Sequence, residues 1–405
     1  MARVTPLQSV HEAYGALMAE YGPSGPPGGI LVPQVQRGVG AEYAAIRRAG
    51  TGAAIVDLPQ RGTVEVRGAD RVAFLNRMVT QELKGMEPYR MRRSFWLNRK
   101  GRIDADLRII ALGSEAGDRM YLDLDVFAVE RAVTTLGAFV IADDVEFVDR
   151  TEQMHRLALH GQGAAALLAA ESEPVAGAAV GEMGPGEVAV VRMRGAEGAE
   201  VIVDRQDSTG EPGYELLMPA EAAGAVWERL ARPDEGPPDA EGAAARPRDG
   251  DAERKAVRAG WHAFNIARIE AGWPLYMIDF GPDSLPHETG AIEDRVSFKK
   301  GCYLGQEIVA RMQARGHPKQ RLVGLRVEGE AEVAGGAGVF EKEEGGDPIG
   351  AVTSSAASPM LGSATVAFAM VKYQNAQAGA QVWVATAGGT MARAVVQPSL
   401  VFWKR

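Results

Sequence analysis

Cys302, the only cysteine among 405 residues, lies in FKKGCYLGQEIVAR, Phe298 to Arg311. A single thiol excludes an intrachain disulfide and any zinc or iron–sulfur site built from several thiolates of one chain. It fits a reducing compartment. Lys299 and Lys300 precede the thiol, and Gly301 and Gly305 bracket it, allowing φ > 0 or a close backbone approach. GQEIVARM reads as the start of a helix. A thiol beside two lysines and just before a helix N-terminus should favour the thiolate, which makes Cys302 a redox-thiol candidate. The other role open to it is that of a small buried residue. The motif comprises Lys300, Gly301, Cys302, Tyr303, Gly305, Gln306 and Glu307.

Three more stretches carry polar groups with chemical potential. In TGEPGYELLMP (Thr209 to Pro219) a Pro-Gly turn leads into a strand bearing Glu215. A carboxylate at the mouth of a sheet accepts two parallel N–H bonds from an amidine-like edge, as arginine or a pterin ring presents. A solvated hairpin glutamate is the alternative. Tyr214 alternates to the other face and packs. In LNRKGRIDADLRIIAL (Leu97 to Leu112) a turn at Arg99 to Arg102 joins two strands. Alternation puts Asp104 and Asp106 on one face, where buried carboxylates would serve acid–base work and exposed ones would be solvated. In WHAFNIARIEAGWPLYMIDFG (Trp261 to Gly281), Phe264, Ile266 and Ile269 form the buried stripe of a helix stopped by Gly272 and Pro274. Arg268 either meets an anionic ligand or holds a buried carboxylate. No phosphate loop, zinc helix or nucleophile elbow is present, and no metal is expected.

The elements that must position these groups follow from composition and pattern. Hydrophobic residues are 46% and charged residues 24% of the chain, with formal charge −9. That is ordinary for a globular protein and argues against bulk binding to nucleic acid or an anionic membrane. The start lacks the apolar core of a signal peptide, and no run is long enough to span a bilayer, so the expected location is cytoplasmic. Residues 1–39, broken by GPSGPPGG, read as a partly flexible leader. Residues 40–318 read as an α+β region of two subdomains, in which strand-like alternation (RGTVEVRG, IDADLRIIAL, RMYLDLD, VEFVDR, MHRLALHG, EVAVVRMRG, EVIVDR, GYELLMP) interleaves with helical runs. Residues 232–252, rich in Pro, Gly, Ala and charge, read as a disordered insertion. Residues 319–405 hold short β-like runs separated by turns and predict a small β-barrel.

KKGCYLGQEIVAR resembles the KGCYxGQE signature of the YgfZ-type folate-binding proteins, relatives of the glycine-cleavage T-protein (aminomethyltransferase). Other stretches resemble the family's blocks in order, from YAAIRRAGTGAAIVDLPQRGTVEVRGADRVAFLNRMVTQEL to GAVTSSAASPMLGSATVAFAMV, over roughly residues 40 to 400. The resemblance implies an α+β, T-protein-like three-domain cloverleaf around a central opening for tetrahydrofolate. It implies that Glu215, with Tyr214 beside it, pairs with the pterin edge and that Arg268 is a nearby polar contact. Asn98 and Asp106 would face the reactive end. T-proteins typically carry adjacent aspartates, as in GGIIDDL; here GRIDADL puts Ala105 at the first, and Asp104 is the candidate to replace it in part. Together with the cysteine motif, this departure favours a tetrahydrofolate-binding accessory role in iron–sulfur cluster assembly or repair. Its partners would be iron–sulfur enzymes or assembly factors, without nucleic acid or membrane. The alternative is a folate-dependent aminomethyltransferase or demethylase.

Overall fold

Residues of period two, apolar on one face, dictate the first layer. In the computed structural model, which describes residues 4–22, 28–114, 119–233 and 255–404, they form an antiparallel five-stranded sheet. Its order is Arg90–Leu97, Ile103–Ala111, Met120–Asp125, Arg61–Arg67, Glu146–Asp149. One face buries Val64, Val66, Leu107, Ile109, Leu122 and Leu124 against the helices Arg71–Met78 and Val129–Ala138.

A seven-stranded sheet follows: Ser172–Gly177, Val188–Met193, Glu200–Arg205, Gly213–Pro219, Met154–His160, Ala54–Asp57 and Val257–Ala259. The last strand pairs in parallel and the rest antiparallel. Helices Ala164–Glu171 and Ala223–Leu230 cover one face through Leu167, Leu168, Val226 and Trp227. The opposite faces of the two sheets meet where Met91, Ile110 and Tyr121 pack on Val188, Val190, Ile202 and Leu217. The six β-like runs after residue 319 close into a six-stranded barrel, its interior filled by Val323, Leu325, Val339, Ala367, Val382 and Val384. This is the α+β architecture with a C-terminal barrel that the sequence predicts. Among the described residues no helix is long and apolar enough to cross a membrane.

The leader is a correction. Residues expected to stand apart form the helix Gln8–Ala13 and the hairpin Leu17–Tyr21 with Ile30–Val35. Leu7 is fully buried in the core of the seven-stranded sheet. Asp57 accepts from Thr5 Oγ1 (2.7 Å), and its carboxylate also meets the ring nitrogens of His11 (2.8 Å) and His155 (2.7 Å). Burial pushes the Asp57 carboxyl up, but the two imidazoles outweigh it and hold the group below the ordinary carboxylate value. Residues 23–27, the middle of the glycine/proline break, lie outside the described residues. The insertion read at 232–252 falls, apart from Arg232 and Pro233, outside the described residues.

Leu7 gives this docking a direct test. Leu7→Ala should cost about 2–5 kcal/mol, the usual range for truncating a buried leucine, and lower the urea midpoint accordingly. A leader that merely drapes over the surface would leave the midpoint unchanged.

Candidate functional site

The strand Ile103–Ala111 departs from simple alternation. Trp96 pairs with Ala105, but Leu97 pairs with Ile103, so Asp104 is an extra residue in its strand. Such a bulge breaks the two-residue period. Asp104 therefore turns to the side of Trp96 and helix Val129–Ala138, where it accepts from Asn98 Nδ2 (3.1 Å) and pairs with Arg131 (2.7 Å). Burial raises its carboxyl above the ordinary value despite these partners. Asn98 and Asp104 line a surface cavity of about 440 Å³ with Trp96, Arg131 and Leu304. Asp106 lies on the opposite face of the sheet. The expected pairing of Asp104 with Asp106 does not occur, and neither Asn98 nor Asp104 shares the space that Asp106 faces.

That space is the gap between the two sheets and the segment 261–278. Asp106, Arg93, Arg108, Asp125 and Arg61 border it from the first sheet, and Glu215 and Ser208 from the second. Tyr21 of the N-terminal hairpin, with Trp261, Phe264, Trp273 and Tyr276, supplies aromatic walls. Arg295 Nε and Nη2 donate to the two oxygens of Asp106 at 2.8 and 3.2 Å and so fix that carboxylate. Tyr21 Oη donates to Asp125. Burial first, and the Asp125 charge second, push the phenol well above its ordinary value.

Glu215 sits at the end of a buried ion network that joins the sheets. Arg108 donates to Asp123 (2.6 Å), Asp204 (3.1 Å) and Glu215. Arg156 meets Asp123 and Asp204, each at 3.1 Å, and Arg61 donates to Asp123 at 2.6 Å. Burial raises the Glu215 carboxyl, but Arg108 and Arg156 outweigh it and hold the net value low. Both arginines meet Oε2. Oε1 has no hydrogen bond within the described residues, so one oxygen, not two, remains for an amidine-like edge.

Other expected site residues are placed elsewhere. Arg268 is fully buried outside the gap: it donates to Asp279, to Trp273 O (3.2 Å) and to Asn265 Oδ1 (2.8 Å). Asp279 in turn accepts from Thr353 and Ser354 of the barrel, so Arg268 clamps its helix to the barrel and is not among the residues that line the gap. Tyr214, on the far face of its strand, packs in the second sheet's core. Cys302 is exposed and absent from the walls of the gap. Lys300, expected beside the thiol, is buried and directs Nζ to the carbonyls of Asn76, Val79 and Gln81, each at 2.7 Å. Tyr303 is buried beneath the same loop, and helix Gln306–Arg315 starts after Gly305 at φ 79°.

The arginines were missed. Arg61, Arg93 and Arg108 lie on strands at positions that look like solvated alternation, and only three-dimensional facing reveals them as interior. Tyr21 was missed with the leader. Reduced folate is tested by the groups present. Ser208 Oγ and Gln60 Oε1 are buried, line the gap and have no partner within the described residues. With Glu215 Oε1 and flat aromatic walls they suit a polar heteroaromatic ring. The enclosed volume is only about 70 Å³, so a pterin enters only if wall side chains give way. A larger groove of about 870 Å³ runs along helix Val39–Arg47. It contains none of these groups and borders Pro233, where the described chain breaks off.

Comparison with known proteins adds a separate line of observation. Residues 7–240 match the model of the GCVT N-terminal domain, and residues 320–402 that of the glycine cleavage T-protein C-terminal barrel domain. The chain is 30% identical over 410 residues to an aminomethyltransferase of Cutibacterium acnes, covering 100% of this chain and 99% of that one. It is 28% identical over 367 residues to an aminomethyltransferase of Rubrobacter xylanophilus, covering 89% and 85%. The glycine cleavage system aminomethyltransferase T from Bartonella henselae superposes with a TM-score of 0.78 at 23% identity, over 100% of this chain and 99% of that one; this likeness concerns the fold.

His160 packs at a tilt against Phe264 of the gap wall, 5.4 Å between centroids. It is fully buried with both ring nitrogens lacking a partner within the described residues. Burial pushes it down to about 4. The unfolded chain protonates near the ordinary 6.5, so it binds the extra proton first as pH falls. Stability is thus complete above about 6.5 and declines toward 4, by on the order of 3 kcal/mol at most from this group. Melting temperatures between pH 7 and 4 should show that slope, and His160→Phe should flatten it.

Proposed function

The chain belongs to the glycine cleavage T-protein family, and from that premise we propose that it binds a reduced folate in the gap between its sheets and acts in one-carbon transfer of the aminomethyltransferase kind. One observation carries the reading: Glu215, from the second sheet, and Asp106, from the first, line a single aromatic-walled space. Glu215 would accept an N–H from the pterin edge, with Ser208 and Gln60 as further polar contacts. Asp106, held in orientation by two N–H bonds from Arg295, would face the amine end, where a carboxylate can take or return a proton. The aromatic side chains exclude water. Bound tetrahydrofolate would supply the nitrogen that accepts the one-carbon unit.

A second reading rests on a different observation. The exposed Cys302 lies outside the gap, in a loop the transfer chemistry does not use. It supports a folate-binding accessory role for iron–sulfur proteins, in which the thiol meets a partner. The similarity to aminomethyltransferases supports the transferase reading, and it is the one preferred.

Titration of tetrahydrofolate into wild type and Glu215→Gln tests the site. One charge-assisted hydrogen bond predicts a loss of about 1.5–3 kcal/mol, with melting curves confirming that the variant is folded. Equal affinity would remove Glu215 from the binding surface. Methylenetetrahydrofolate formation from an aminomethyl donor separates the two readings. The transferase reading expects Asp106→Asn to abolish it and Cys302→Ser to leave it intact. Under the accessory reading no such product forms, and Cys302→Ser instead lowers iron–sulfur enzyme activity in cells.

A further inference from the structure

Arg93 extends from strand Arg90–Leu97 directly opposite Arg108 of the neighbouring strand. Like charges in that register repel unless each has its own anion. Arg108 has three, in Asp123, Asp204 and Glu215. The acid partner of Arg93 is Asp294, at 3.4 Å with its side chain 50% exposed, where screening leaves a pair weak. Asp294 also accepts from Arg295 at 2.6 Å. Asp106, on the same face of the sheet, has both oxygens engaged by Arg295. The Arg93 Nε is buried without a partner within the described residues. Burial, with the nearby Arg295 charge, draws this guanidinium down to about 10. Its carbon lies 4.1 Å from the centroid of the Trp273 ring, so the plane of the fork is set before any ligand arrives. Arg93 and Trp273 both line the gap.

We propose that Arg93 is the anion anchor of the gap: it takes a carboxylate of the ligand through its planar fork while Trp273 supports its face. The charge imbalance locates the anchor. The fork geometry selects a carboxylate. The assignment rests on the functional reading only for the gap being the ligand site. Two ligands bring a carboxylate there, the glutamate tail of a reduced folate and an amino acid acting as one-carbon donor.

The full chain would be titrated with four probes: 6-methyltetrahydropterin, which has no carboxylate, tetrahydrofolate, N-(4-aminobenzoyl)-L-glutamate and sarcosine. Arg93→Gln should weaken a carboxylate-bearing probe on the order of tenfold to a hundredfold and leave 6-methyltetrahydropterin unchanged. Arg93→Lys should recover only part, because an ammonium cannot pair two oxygens in one plane. Trp273→Leu keeps the charge, removes the platform and should weaken the same probes by a smaller factor; it serves if Arg93→Gln fails to fold. Loss confined to tetrahydrofolate and aminobenzoylglutamate assigns the anchor to the tail, and loss confined to sarcosine assigns it to the donor. The proposal is overturned if the variants bind every probe as wild type does, if they lose 6-methyltetrahydropterin equally, or if wild type binds no carboxylate probe. Carboxylate binding through Arg93 without any binding of 6-methyltetrahydropterin would sink the folate reading and leave the anchor standing.

Discussion

The molecule is organised by a buried set of charges. Arg61, Arg108 and Arg156 meet Asp123, Asp204 and Glu215 across the face-to-face contact of the two sheets. The set is neutral, three cations against three anions. Each ion taken alone out of water costs several kcal/mol, so the network is tolerable only when complete. Arg108 belongs to the first sheet but reaches two acids of the second, and Arg156 of the second reaches an acid of the first. Sliding one sheet past the other would leave charges uncompensated on both. The network thus sets the relation between layers more sharply than the apolar contacts of Ile110 with Leu217 and Val190, which tolerate exchange.

The gap is a consequence of that relation. Where the network ends, Glu215 keeps one oxygen clear of arginine, and beyond it the sheets are separated by side chains of the segment 261–278. The helix Trp261–Glu270 is itself held by two separate clamps. Arg268 ties it to Asp279 and so to the barrel, and Glu270 accepts from Tyr43, Arg47 and the barrel's Ser358. A clamp on each side keeps Trp261 and Phe264 in the wall. Arg268 therefore serves the site by positioning its neighbours, which explains why a buried arginine so close in sequence to the wall does not enter it.

The legible and illegible parts of the sequence divide along physical lines. Most strands of the two sheets and those of the barrel were legible because period-two alternation is a local property of a half-buried strand; Ala54–Asp57, Ser172–Gly177 and Val257–Ala259 of the seven-stranded sheet were not. Glu215 was legible because it follows a turn at the open end of such a strand. The Asp104–Asp106 relation was not, because a bulge inserts one residue and reverses facing, and no residue type announced it. The interior arginines were hidden for the complementary reason: Arg61 and Arg108 keep strict alternation, but the face they occupy meets a second sheet instead of water. The leader was hidden because Leu7 and His11 become interior only when the seven-stranded sheet exists to receive them.

The cysteine motif shows how a chemical-looking signature can encode docking. Lys300 uses all three N–H donors of its ammonium on carbonyls in and just after the last turn of helix Arg71–Met78, although burial draws its pKa down to about 8. An ammonium with three charge-assisted bonds tethers a loop in a way that a solvated lysine cannot. Gly305 is required twice over, by its positive φ and because a Cβ there would lie 2.7 Å from Asn98 O. Tyr303 fills the hydrophobic cluster of Phe95, Leu97 and Val309. Lys300 latches the loop to the C-terminal end of helix Arg71–Met78, Tyr303 and Gly305 seat it against the strand and turn that carry Leu97 and Asn98, and helix Gln306–Arg315 starts from that latch. Cys302 is the position the latch does not need, and it is held out in solvent by residues that are all engaged. A loop anchored this firmly around an exposed thiol presents that thiol in one fixed setting, with the charge of Lys300 already committed to backbone carbonyls.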